Sequence, residues 1–172
     1  MPVRPVIVYP DPLLKSVCRA CGEITGEVRR VAQDLVDTMR AHDRCVGLAA
    51  PQIGELLRII AVDVRGHPKA TVAHGLLVIV DPLVVASDGS EIGREGCLSL
   101  PSITANVPRA TRIYLRGLTL DGEEVQAETS AFEARAILHE VDHLDGILIL
   151  DRAASPAEVF QRKTGGGGPN QR

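Results

Sequence analysis

The stretch SAFEARAILHEVDHLDG, Ser130 to Gly146, limits what this chain can fold into more than any other. Ser130 can cap a helix, Glu133 lies three residues on as in a capping box, and Gly146 ends it. Ile137, Leu138, Val141 and Leu144 make that helix largely buried, yet it carries His139, Glu140 and His143 within the same turns. Buried polar groups without partners are costly, so the fold must wrap this helix and give its histidines something to hold. His139 and His143 stand at i and i+4, so both imidazoles project from one face. Glu140 sits beside them. This is the H-E-x-x-H arrangement of two metal ligands and a carboxylate poised as general base. The competing reading, two surface histidines on an amphipathic helix, fits the apolar neighbours poorly.

A second helix is expected earlier in the chain. Val28, Val31, Leu35 and Met39 recur at helical spacing, while Arg29, Arg30, Gln33 and Asp34 fill the other face, over about Gly26 to His42. RIIAVDV (Arg58 to Val64) and GLLVIVDP (Gly75 to Pro82) are short β-branched runs and read as strands. Thr111 to Glu128 reads as two strands around a turn at Asp121-Gly122. The chain has 172 residues, enough for one domain with its own core. Hydrophobic residues make up 45% but aromatics only 2%, so that core must be built from Val, Ile, Leu and Ala. The expectation is a single α+β domain over residues 1–162, mostly antiparallel strands around the central metal-binding helix plus the N-terminal helix. Four consecutive glycines make the tail, residues 163–172, a disordered segment by composition.

Two histidines leave a catalytic metal one protein ligand short, since such sites typically use three and keep a position open. Cys97, in REGCLSLPS (Arg94 to Ser102), supplies a thiolate from a short stretch bounded by Gly96 and Pro101. Taken alone, a lone cysteine reads as a buried, inert side chain. A third stretch, VGLAAPQIG (Val46 to Gly54), has small residues that let a backbone approach a ligand, and Gln52 offers an amide donor suited to an oxyanion. Taken alone, Gln52 is an ordinary turn residue.

Together the stretches CVGLAAPQ (Cys45 to Gln52), EGCLS (Glu95 to Ser99) and LHEVDH (Leu138 to His143) resemble the peptide deformylases. That family carries G-x-G-L-A-A-x-Q, E-G-C-L-S and Q-H-E-x-D-H motifs in this order, and the likeness runs from DPLLKSV near Asp11 to LDR at Arg152. The resemblance implies removal of the formyl group from N-formyl-methionyl nascent peptides, with release of formate. It implies that Cys97, His139 and His143 bind the metal, that Glu140 is the catalytic base, and that the Gln52 side chain and the Leu98 backbone N–H contact the oxyanion. Gly47, with Val46 beside it, would pair with substrate backbone. The implied ion is ferrous iron (Fe2+), with Zn2+, Ni2+ or Co2+ as substitutes. Cys45 stands where the first motif has glycine and Leu138 where the third has glutamine. Neither is a ligand or the base, so these departures bear on rate, substrate range and inhibitor fit.

The methionine side chain would need an apolar pocket, and Phe132 and Ala136, one to two turns before the histidine pair, are candidate walls. Two rival readings remain at this point. An H-E-x-x-H peptidase would draw its third ligand from a downstream Glu or His, but after His143 there is only Glu158. A deformylase-like protein with reduced or lost activity would serve for binding or inhibitor tolerance; the complete set of ligands and base counts against it. The net charge of −3 argues against nucleic-acid binding, although Arg109, Arg112 and Arg116 could form a local basic patch. No run approaches a membrane span and the N-terminus is unlike a signal peptide, so the expected compartment is the cytoplasm. The tail lacks the long basic helix with which some deformylases dock on ribosomes, leaving at most a transient ribosome contact. Cys18 and Cys21 form a C-x-x-C, but no second pair completes a zinc site and no thioredoxin-like pattern follows.

Overall fold

The computed structural model describes residues 3–162; the Gly-rich tail lies outside the described residues. Helix α1 spans Gly26–Arg40, α2 Ala131–Leu144 and the short α3 Ile149–Arg152. The strands are β1 Gly47–Ala49, β2 Ile59–Val62, β3 Leu77–Asp88, β4 Glu91–Cys97, β5 Leu100–Arg109, β6 Arg112–Leu118, β7 Glu124–Ser130 and β8 Val159–Gln161. They form a five-stranded sheet in the order β1-β2-β3-β6-β7 and a three-stranded sheet in the order β4-β5-β8. Every pairing between these strands is antiparallel. The α+β expectation holds.

β2 explains how the helices are held. All its residues are buried, and an uninterrupted apolar strand needs cover on both faces. Ile59 and Ala61 pack with Val31, Leu35 and Met39 of α1, whereas Ile60 and Val62 pack with Ile137 and Leu144 of α2. Alternation along a single strand therefore separates the two helical layers. The α1 start is fixed by Thr25, whose side chain accepts from the Val28 N–H at 3.3 Å. Asp34, assigned by its spacing to the solvent face, is buried instead, because Arg4 from the N-terminal segment reaches it at 3.0 Å. The turn between β6 and β7 falls at Asp121-Gly122, and Gly122 adopts φ 81°, which suits glycine.

The capping box expected at the start of α2 does not form. Ser130 is extended and makes no side-chain cap bond. Glu133 is fully buried and turned elsewhere: it accepts from the His74 N–H at 2.7 Å and the Thr129 hydroxyl at 2.8 Å, and it contacts the His74 ring. A tertiary demand has overridden the local one, and it ties the β2–β3 loop to α2. Nor do Arg109, Arg112 and Arg116 form the local basic patch that their spacing left possible. Arg112 pairs with Glu128 and Arg116 with Glu124 across the β6–β7 ladder, while Arg109 is buried. Among the described residues, no helix is long and apolar enough to cross a membrane.

Candidate active site

Three elements converge where the two sheets meet α2. β4 ends at Cys97 after a register shift between Gly96 and Cys97, which turns the thiol inward. One ligand atom each from Cys97, His139 and His143 lies within 4.8 Å of the others. The Cys97 sulfur is 3.3 Å from His143 Nε2. His139 Nδ1 lies 2.8 Å from Glu95 Oε1, so that carboxylate fixes the ring and leaves Nε2 as the nitrogen for the cluster. A thiol and two imidazoles form a donor set suited to zinc or ferrous iron. Two buried polar atoms here, Glu140 Oε2 and His143 Nδ1, have no protein partner. The Glu140 orphan, beside three converging donors, fits a site built for a metal ion and water; His143 Nδ1 points away from the cluster, since Nε2 is the nitrogen that faces Cys97.

Glu95 is the centre of the support. Its carboxylate accepts two bonds from Arg109 at 2.9 Å, one from Arg135 at 2.7 Å and the one from His139. Burial alone would raise this carboxyl, but the His139 and Arg109 bonds hold it well below the usual carboxylate range. Arg109 also contacts Asp142, which Arg152 clamps at 3.0 and 3.1 Å. Burial pushes the Glu140 carboxyl up to about 7, against the pull of the nearby His139. Burial drives His143 well below its ordinary value and so favours the neutral ring. His139 is opposed by burial too, yet hydrogen bonding to Cys97 and Glu95 raises it.

Gln52 is locked by its surroundings. Its Oε1 accepts from the Ala49 N–H at 3.0 Å, which leaves Nε2 3.1 Å from the Ser99 hydroxyl and 3.5 Å from the Cys97 sulfur. The donor end of the amide therefore faces the ligand cluster. A cleft of about 540 Å³ opens onto these groups and is lined by Val46, Gly47, Leu98, Phe132 and Ala136, all five marked in the sequence for substrate or oxyanion contact. The side chain completing the histidine cluster is the β4 thiol, which answers the peptidase reading, where a downstream carboxylate or imidazole would have done so.

This geometry has close counterparts. The family model for polypeptide deformylase matches residues 3–159. The chain belongs to the polypeptide deformylase family. The peptide deformylase of Dictyoglomus thermophilum is 40% identical over 161 residues, covering 94% of this chain and 99% of that one. That of Thermodesulfovibrio yellowstonii is 36% identical over 164 residues, covering 95% and 97%. The crystal structure of the peptide deformylase from Thermotoga maritima superposes with a TM-score of 0.82 at 31% identity, covering 90% of this chain and all of that one.

Within this deformylase, Gly47 has a second reason to be glycine. A Cβ there would lie 2.7 Å from Glu140 Oε1 and 3.0 Å from its Cγ. Gly47→Ala is therefore expected to displace the Glu140 carboxylate and, if that carboxylate acts in the reaction, to lower kcat/KM about 10- to 100-fold. Metal content measured on the same preparation should stay at the wild-type level. Unchanged turnover would show that the glycine is not a spacer for the Glu140 carboxylate. Cys45, the departure in the first motif, borders the cleft and donates to the Gly47 carbonyl at 3.2 Å. Burial pushes its thiol up to about 12, so it stays protonated. Cys18 and Cys21 are both free and are raised by burial to about 11, which fits packing better than redox or metal chemistry.

Sequence reasoning assigns no role to Glu95, Ser99, Arg135 or Asp142, and places Arg109 only in a possible surface patch. Glu95 and Ser99 were signalled by their place in EGCLS, beside Cys97. Arg109 carried no local signal, since its partners are 14 and 33 residues away.

Proposed function

We propose that this deformylase works with Cys97, His139 and His143 as ligands of one divalent ion, Glu140 as general base, and Gln52 with the Leu98 N–H as oxyanion donors. The reaction is that of its family, hydrolysis of the N-formyl group from nascent peptides with release of formate. The observation carrying the assignment is the convergence of the three ligand atoms within 4.8 Å beside a buried carboxylate oxygen that has no partner. An ion held there would act as a Lewis acid, easing deprotonation of a water molecule and polarising the formyl carbonyl.

The protein's own groups do the rest. Glu140 takes the proton of the attacking water, holds it on its carboxylate, and returns it to the leaving amine nitrogen. As the formyl oxygen gains charge, Gln52 Nε2 and the Leu98 N–H donate to it; the Ala49 contact means Gln52 need not reorient. The methionine side chain lies along Phe132 and Ala136, with Val46 and Gly47 offering backbone to the peptide. Ferrous iron is the proposed ion, which the mixed sulfur and nitrogen donors accept, though less tightly than zinc. The proposed setting is the cytoplasm, with nascent chains as substrate and at most a transient ribosome contact.

The test uses anaerobically purified protein, elemental analysis and formate release from formyl-methionyl-alanyl-alanine amide. About one iron per chain is expected, with turnover that decays in air, while a zinc-reconstituted form should be slower and air-stable. Release of formate with no dependence on bound metal would overturn the ligand assignment.

A further inference from the structure

The cleft carries charge that the deformylation chemistry leaves unused. Of the chain's 19 lysines and arginines, five line it (Arg44, Lys69, Arg94, Arg135 and Arg162), against three of the 22 acidic residues, Asp43, Glu95 and Glu140. Two of those acids are committed, Glu95 to Arg109, Arg135 and His139, and Glu140 to the reacting water. Arg135 is spent on Glu95 and on the carbonyls of Val107 and Glu91. That leaves Arg44, Lys69, Arg94 and Arg162, all exposed, facing the single carboxylate of Asp43. None of these four has an ion-pair partner among the described residues. On a chain of net charge −3 this is a local reversal of sign, and it stands at a cleft, where low-dielectric walls focus the field.

The cations are placed on both sides of the entrance. On the sheet side, Arg94 of β4 lies 3.9 Å over the Phe160 ring and donates to Asn106 at 2.9 Å and Thr104 at 3.3 Å. These are neutral partners that hold its direction and leave its charge uncompensated. Arg162, just past β8, bonds through its backbone N–H to the Ser102 carbonyl at 2.7 Å. Its guanidinium covers Gly96, where a Cβ would lie only 2.2 Å away, next to Cys97. On the opposite side, Lys69 belongs to the β2–β3 loop, whose His67 stacks on Phe132 with ring centroids 4.3 Å apart. Arg44 comes from the α1–β1 connection.

We propose that Arg44, Lys69, Arg94 and Arg162 form an acidic-side-chain subsite that selects peptides with Asp or Glu directly after the formyl-methionine. This rests on the deformylase reading above, because it takes the formyl end to lie at Cys97 and His139. The methionine then lies against Phe132, and the following residues leave past the cationic rim. The charges line a concave site and not an open face, which suits a peptide side chain better than a nucleic-acid backbone.

The test compares kcat/KM for three amidated peptides, formyl-Met-Glu-Glu, formyl-Met-Ala-Ala and formyl-Met-Lys-Lys, at low and high salt. The glutamate peptide is expected to exceed the lysine peptide about tenfold at low ionic strength, with the ratio shrinking as salt screens the exposed charges. The double variant Arg94→Glu with Arg162→Glu should bring that ratio to one or invert it. Lys69→Glu, on the opposite side and in an exposed loop, should lower it independently if the double variant fails to fold. Deformylation of all three peptides at equal efficiency would overturn the subsite and leave the deformylase assignment standing. A glutamate preference that survives these charge reversals would also overturn it, as would binding of an RNA oligonucleotide with no peptide preference. Failure to release formate from any peptide would instead reject the activity itself.

Discussion

Cys97→Ala is expected to empty the metal site and abolish turnover. The thiolate is the only anionic donor of the three, and two imidazoles alone hold a divalent ion weakly. Complete structural zinc sites are worth about 10–16 kcal/mol. Losing a third of such a ligand set would weaken binding on the order of 10³-fold, or roughly 4 kcal/mol. Elemental analysis after dialysis should find little bound metal, and formate release should fall to background. Cys97 is buried in a cluster with Leu100 and Val107, and removing its single sulfur atom leaves only a small void. The circular-dichroism spectrum should therefore stay native, which separates ligand loss from unfolding. Full metal occupancy with normal activity would mean that another group is the third ligand.

Glu140→Ala should do the opposite to the metal and nearly the same to activity. Its carboxylate lies beside the cluster, and the ligand set is complete without it. Bound metal should remain near one per chain while kcat/KM falls by a factor on the order of 10²–10⁴, the usual worth of a positioned general base. That is about 3–5.5 kcal/mol of transition-state stabilisation. Stability should hold or rise, because the variant removes a buried oxygen that has no hydrogen-bond partner. Near-normal turnover would show that another group moves the proton. Loss of metal would show that Glu140 is itself a ligand.

What the sequence disclosed and what it hid follow physical lines. Helices α1 and α2 and the β6–β7 hairpin were legible because helical spacing, β-branched runs and an Asp-Gly turn are local signals. The β4–β5 hairpin was not read as strands. Gly93, Gly96, Pro101 and Pro108 interrupt its alternation, so the local signal fails even though the two strands are adjacent in sequence and pair with each other. The candidate site residues were legible through three short motifs, two of which hold the three clustered donor side chains. Their support was not: Arg109 and Asp142 look like any charged pair until folding buries them together. Glu133 was misread for the same reason, because a capping box is a local rule and His74 is 59 residues away. The cationic rim was hidden as well. Its members come from four separated segments of a chain that is acidic overall, and the arginines that did cluster in sequence turned out to be neutralised.

The bonds around Glu95 also constrain how such a chain can diverge. One carboxylate joins β4, the last residue of β5 and the first histidine of α2, and through Arg109 it reaches Asp142 and Arg152. Removing one partner of a buried ion pair leaves an uncompensated charge and costs about 3–5 kcal/mol, a large share of the margin by which most domains stay folded. Substitutions here must then arrive in concert, as joint replacements that keep charge balanced, and not as single steps. Positions such as Cys45 and Leu138 stand outside that bonded set, and it is there that lineages can explore new pocket shapes without first passing through an unfolded ancestor.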